Sequence, residues 1–204
     1  MARISKLIWL GLAILIPMLL LTFSARAQVS NISKATRFTS VQTAIDAACT
    51  GDVLLMEAGI YKETLIINKP ITLKGSGETN TILDVSEAKV QGITINSNMV
   101  SIDTFSVLGS SVNDNHCIYY VPGVSGQTLN KVTVSGCGKS GIHMLHVNGT
   151  AGENVLTNVT SFGNGTNSGG YGIALSSTVH INISVVNSEG NKWGDLVILA
   201  SDSW

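Results

Sequence analysis

A strand opening recurs along the second half of the chain. It is read at Gly92-Ile93-Thr94-Ile95, His116-Cys117-Ile118-Tyr119, Gly141-Ile142-His143-Met144, Gly172-Ile173-Ala174-Leu175 and Gly194-Asp195-Leu196-Val197, in steps of 24, 25, 31 and 22 residues. A second row runs in phase with it. Ile102, Phe105 and Val107 return 27 residues later as Leu129, Val132 and Val134, and Leu156 and Val159 continue the row after another 27. A unit of this size cannot bury its apolar face alone. Stacked on the next unit, its strands bond in parallel to their copies and its inward side chains line up in columns. An antiparallel sandwich would instead need hairpin turns every 8–12 residues, roughly, with no lasting phase. The expected fold is therefore all-β: a right-handed parallel β-helix.

What precedes the repeat divides in two. Arg3 and Lys6, an apolar run from Leu7 to Phe23 and Ala25-Arg26-Ala27 have the order of a secretory signal peptide spanning residues 1–27. An uncleaved anchor is the competing reading, opposed by the shortness of the run and by Pro17 within it. Residues 28–50 read as a leader and a short capping helix. Thr39 and Gln42 match a capping box, and Val41, Ala44, Ile45 and Ala48 keep helical spacing up to Gly51. The β-helix is assigned to residues 51–204. It is expected to be incomplete at its C-terminus, because no amphipathic cap follows Leu196-Val197-Ile198-Leu199. End-to-end self-association and closure by Trp204 are the other readings of that end.

Residues 38–84 carry a family resemblance. Val41 to Ala48, then Gly51-Asp52-Val53, Gly59-Ile60-Tyr61-Lys62-Glu63 and Ile71-Thr72-Leu73-Lys74-Gly75-Ser76-Gly77, resemble the N-terminal cap and first coil of pectin lyase-like β-helix proteins. The resemblance implies a β-helix closed at its N-terminal end by a helix. It implies no single activity, because esterases, polysaccharide lyases, epimerases and accessory proteins share this opening. No catalytic residue is carried over, and Tyr61 and Glu63 are expected to shape the first corner.

Charge narrows the partners. Without residues 1–27 the chain has 9 basic and 13 acidic residues, a net charge of −4. That argues against nucleic acid and against an anionic membrane surface, so membrane contact is expected only through the signal peptide. No arginine follows Arg37, and from residue 92 on the acids are spread singly: Asp103, Asp114, Glu153, Glu189, Asp195 and Asp202. Glycoside hydrolysis needs two carboxylates at a set separation, and uronate chemistry needs a strong base beside a cation site. Neither set is visible, so the sequence leans away from a complete enzyme.

The candidate catalytic residues are Asp114 and His116, the best local pair, and His143 one coil further on. His143 and His146 fall on opposite faces of a strand, which argues against a shared metal ion. No metal site and no cofactor are expected. Tyr119 and Tyr120 are the candidate substrate-binding residues, since one of two neighbours on a regular strand must face outward, where a ring can stack on a sugar. Three cysteines, Cys49, Cys117 and Cys137, cannot all pair within one chain. Asn115, Asn130, Asn158, Asn164, Asn187 and Asn191 fall near corners, as amide stacks or simply as turn formers. Asn-x-Ser/Thr occurs at Asn31, Asn148, Asn158, Asn164 and Asn182.

The reading is a secreted, periplasmic or cell-surface β-helix that binds polysaccharide or another surface polymer along a lateral sheet. The alternatives are a truncated or atypical carbohydrate-active enzyme, lyase or esterase-like, and an adhesion module assembling end to end.

Overall fold

The computed structural model describes residues 28–109, 114–147, 150–178 and 180–199. The expected signal peptide and Trp204 lie outside them. Among the described residues no helix is long and apolar enough to cross a membrane.

Strands β1 (Val29–Asn31) and β2 (Thr36–Phe38) lead into α1 (Val41–Ala47), the single α-helix among the described residues. The first windings follow as β3 (Val53–Met56), β4 (Gly59–Tyr61) and β5 (Leu65–Ile67), then β6 (Thr72–Gly75), β7 (Thr81–Asp84) and β8 (Ile93–Ile95). Later windings have one long and one short strand each: β9 (Ser101–Leu108) with β10 (Ile118–Tyr120), β11 (Thr128–Ser135) with β12 (Ile142–Leu145), β13 (Asn154–Phe162) with β14 (Tyr171–Ser176), and β15 (Ile181–Glu189) with β16 (Gly194–Leu199). Two sheets result. Sheet A runs β15-β13-β11-β9-β6-β3-β1-β2, with β4 and β7 joined beside β9; sheet B runs β16-β14-β12-β10-β8-β5. From β3 onward each strand pairs in parallel with its copy one winding away. The molecule is a β-solenoid with one short helix.

The columns inside it explain the register. In sheet B, Leu65, Ile93, Ile118, Ile142, Ile173 and Leu196 stand in line. In sheet A, Ile102, Leu129, Leu156 and Ile183 do the same, beside Phe105, Val132, Val159 and Val186. The sheet A row matches the expected 27-residue phase. The sheet B row does not align at the opening residue. Gly92 stands level with Cys117 rather than His116, and Gly172 with Asp195 rather than Gly194, so the true steps are 25, 24, 31 and 23. The inward isoleucine marks the register, because its burial depends on the pleat; the residue before it does not.

The long strands of sheet A bend once per winding at a residue in the left-handed region: Thr104, Lys131, Asn158 and Val185, with φ of 61°, 51°, 52° and 50°. Each is skipped by the ladder, with paired residues on either side. Gly136, Gly163 and Gly190 form a second such row, where glycine meets the positive φ without a Cβ clash.

Helix α1 closes the N-terminal end with Val41, Ala44 and Ile45 fully buried. Its cap corrects the expected pairing of Thr39 with Gln42. Ser40 is the N-cap and its hydroxyl accepts from the Thr43 N–H at 3.2 Å. The reciprocal acid comes from the next corner. Glu63 accepts from the Val41 and Gln42 amides at 2.8 and 3.1 Å and from the Ser40 hydroxyl at 2.8 Å. A carboxylate there suits the positive end of the helix. Tyr61 is buried and its hydroxyl lies 2.7 and 2.8 Å from the carbonyls of Gln28 and Glu57. Both residues therefore tie the cap to the first winding.

Two of the open questions on side chains are answered here. Cys117 and Cys137 form a disulfide with Cα atoms 5.7 Å apart, and Cys49 is free. The asparagines divide. Asn164 and Asn191 form a ladder: Asn164 donates to Asn191 Oδ1 at 2.9 Å and accepts from the Cys137 N–H at 3.0 Å. Asn158 donates to Asn130 Oδ1, and Asn130 to Asp103 Oδ1. Asn115 instead ties a corner through the carbonyls of Ala88 and Val90.

Candidate functional site

The pleat of sheet B sends alternate side chains outward. Ile66, Thr94, Tyr119, His143, Ala174 and Val197 form one outward row. Beside the C-terminal half of that row lies a groove of about 430 Å³, lined among others by His116, Lys139, His143, Ser168, Tyr171 and Trp193. His116, Ser140 and Tyr171, each two places before an inward isoleucine, line it together with Ser168, Gly169 and Gly170 of the loop between β13 and β14.

His116 and His143 come together here, with Nε2 of the first 2.9 Å from Nδ1 of the second and ring centroids 4.3 Å apart. The protons can be placed from the contacts. The Ser140 N–H donates to His116 Nδ1 at 3.1 Å, so that nitrogen keeps its lone pair. His116 Nε2 then carries hydrogen and donates to His143 Nδ1, leaving His143 Nε2 as the donor that ends the chain. Burial pushes the His116 imidazole down to about 3, aided by the neighbouring His143. Burial and then the Lys139 charge lower His143 as well. Both rings are thus neutral near pH 7, and the pair acts as an oriented hydrogen-bond donor.

Asp114 lines the same groove but bonds elsewhere. Its carboxylate accepts from the Ser168 hydroxyl and pairs with Lys139 Nζ at 3.3 Å. The Ser168 bond, and after it Lys139, hold this carboxyl below the usual range. The expected Asp114–His116 pairing is corrected on this point: the strand that brings His143 alongside gives His116 a nearer partner. Among the described residues, no group of three or more His, Cys, Asp or Glu side chains gathers as a metal site would require.

The tyrosine pair separates as alternation demands. Tyr119 faces outward, with its ring edge-on to His143 at 5.7 Å and stacked at 6.0 Å on His116. Tyr120 is fully buried, and among the described residues its hydroxyl has no hydrogen-bond partner. Tyr120 as a ligand contact is therefore corrected: it occupies the inward column beside Ile95 and Met144.

Two aromatic residues complete the groove that the sequence reading did not select. Trp193 is 61% exposed and meets Tyr171 edge-on at 5.8 Å. Its backbone N–H donates to the Gly170 carbonyl at 3.0 Å, and its indole lies so close over Gly169 that a Cβ there would overlap it. The Tyr171 N–H donates to Ser140 Oγ at 3.1 Å. Each ring stands immediately before a glycine at the start of a sheet B strand, Tyr171-Gly172 and Trp193-Gly194. That position was the available signal, since His116 and Tyr171 each stand two places before an inward isoleucine of sheet B.

Comparison with known proteins adds one relative. A cell surface glycoprotein of Methanothermus fervidus is 31% identical over 117 residues, which covers 56% of this chain and 18% of that protein. The chain thus spans less than a fifth of the relative's length. No family model matches the sequence, and no solved structure matches it.

Proposed function

We propose that this chain is an exported cell-surface or secreted protein, wound as a right-handed parallel β-helix of the pectin lyase-like kind, that binds an uncharged polysaccharide in the groove on sheet B. Right-handed winding is supported by the general preference of parallel crossover connections, about 98% of which have that hand. Export is supported by the order of charges and apolar residues in 1–27 and by the surface location named for the relative.

The observation that carries the binding reading is the exposed Trp193 ring, braced by Tyr171 and Gly169 along an open groove. Aromatic rings offer apolar faces to the C–H faces of sugars, at little cost in side-chain entropy because packing already holds them. The charge balance selects the polymer. Lys139 is offset by Asp114 and both imidazoles are neutral, so the described residues of the groove present no net positive charge to favour a uronate carboxylate over a hydroxyl. The donor at His143 and the hydroxyls of Ser168 and Ser176 suit sugar hydroxyls.

Affinity electrophoresis tests this with soluble glucans and mannans against polygalacturonate. Retardation is expected on the neutral polymers, little changed by salt, and lost in Trp193→Ala. Equal retardation of Trp193→Ala would remove the groove from the account. Release of unsaturated or de-esterified products, abolished in His143→Ala, would replace it with the enzyme reading.

A further inference from the structure

Burial separates the Asn-x-Ser/Thr sites that the sequence alone leaves equivalent. Asn31 is 1% exposed. Its amide donates to Asp52 Oδ2 at 2.7 Å and its carbonyl accepts from the amides of Ser33 and Lys34. Asn164 is fully buried, and its two amide hydrogens serve Ser161 Oγ at 3.1 Å and Asn191 Oδ1 at 2.9 Å. A sugar on either nitrogen would displace one of these bonds and find no path outward between stacked windings. Asn158 and Asn182 differ. Both are exposed and both stand on sheet A, Asn158 at its left-handed corner and Asn182 level with Val155 near the start of β15. The Asn158 amide makes one bond, to Asn130 Oδ1 at 3.1 Å. A glycosylated amide keeps one N–H, so that contact survives the modification.

We propose that the solenoid carries N-linked glycans on Asn158 and Asn182 and on neither Asn31 nor Asn164. The inference rests on the proposed export. The donor is a lipid-linked oligosaccharide pyrophosphate, used by a membrane oligosaccharyltransferase as the chain emerges. The Asn Nδ2 attacks the anomeric carbon, the new C–N bond replaces the C–O bond to the pyrophosphate, the amide gives up one proton, and the lipid pyrophosphate leaves. Acceptance before folding is tolerated at Asn158 and Asn182 because the finished fold leaves them in solvent. A chain modified at Asn164 cannot close the Asn164–Asn191 ladder. Asn148 lies outside the described residues; the two proposed glycans stand on sheet A, on a different face from the aromatic groove of sheet B.

The test expresses the full chain in a yeast secretory host in two forms, with its own N-terminus and behind the host's export signal. Secreted, folded protein is digested, released with a glycan amidase in heavy-oxygen water and mapped by mass spectrometry. Occupancy is expected at Asn158 and Asn182. Thr160→Ala and Ser184→Ala should each lose one glycan, while Thr166→Ala, which removes the Asn164 site without touching Asn164, should leave the attached glycan mass unchanged. Bare Asn158 and Asn182 in the form carrying the host signal, or a glycan on Asn164 in folded protein, would overturn the proposal. Glycans found only in the form with the host signal would uphold the sites and refute the export reading.

Discussion

Val185 is 74% exposed and holds φ near 50°, a conformation that a β-branched side chain adopts only under strain. Asn158 occupies the same corner one winding earlier, where its short amide tolerates the left-handed region. Val185→Asn should therefore stabilise the protein by about 1 kcal/mol, read as a higher denaturant midpoint at unchanged slope. Tyr120 makes the opposite case in the core. Its buried hydroxyl has no partner among the described residues, so Tyr120→Phe should raise stability by about 1 kcal/mol, with no effect on polymer binding. The histidine pair predicts a pH dependence. His116 is held neutral by burial, and its folded value of about 3 lies below the ordinary 6.5 of an unfolded chain. Between those values the unfolded state binds more protons, so this contribution is complete above pH 6.5 and is lost as pH falls toward 3. His116→Gln should flatten the fall in stability over that window, measured by urea unfolding at stepped pH. An unchanged profile would mean that the imidazole is not buried as described.

At the scale of elements, the capping helix depends on an acid from outside itself. Glu63→Ala leaves the first amides of α1 and the Ser40 hydroxyl without their acceptor, and should cost about 1–2 kcal/mol. Glu63 was legible as a corner residue but not as a cap. Capping signatures are read within one helix, whereas this carboxylate arrives from 22 residues away. Sheet A was legible from β9 to β13, because its inward residues repeat there at a constant 27 residues and a strand buried on one face shows its register in its apolar residues; the antiparallel β1 and β2 in residues read as a leader were not. Sheet B was legible only to within a residue. His116 and Gly194 look like strand openings in the manner of Gly92, yet they sit one place before the level of that glycine. The groove was half legible for the same reason. Tyr119 and His143 lie on strands whose alternation can be counted, and His116 stands two places before the first of these. Tyr171 and Trp193 follow loops of unequal length, and their meeting across Gly169 depends on the path of the β13–β14 loop.

Across the whole molecule the solenoid has two outer faces of different character. Sheet A presents Asn158 and Asn182 to solvent, whereas sheet B presents the aromatic groove. Both follow from one constraint: successive windings lie in parallel register, so that inward residues fill columns and outward residues form rows across strands. Function on such a body is a property of a row, because each winding contributes one side chain to it. Hydrogen–deuterium exchange with and without a soluble neutral glucan tests this most directly. Added polymer should slow exchange in peptides covering residues 139–145, 168–176 and 193–199, and leave 154–162 and 181–189 unchanged. Protection confined to the sheet A peptides, or no protection at polymer concentrations that retard the protein on gels, would contradict a binding face on sheet B.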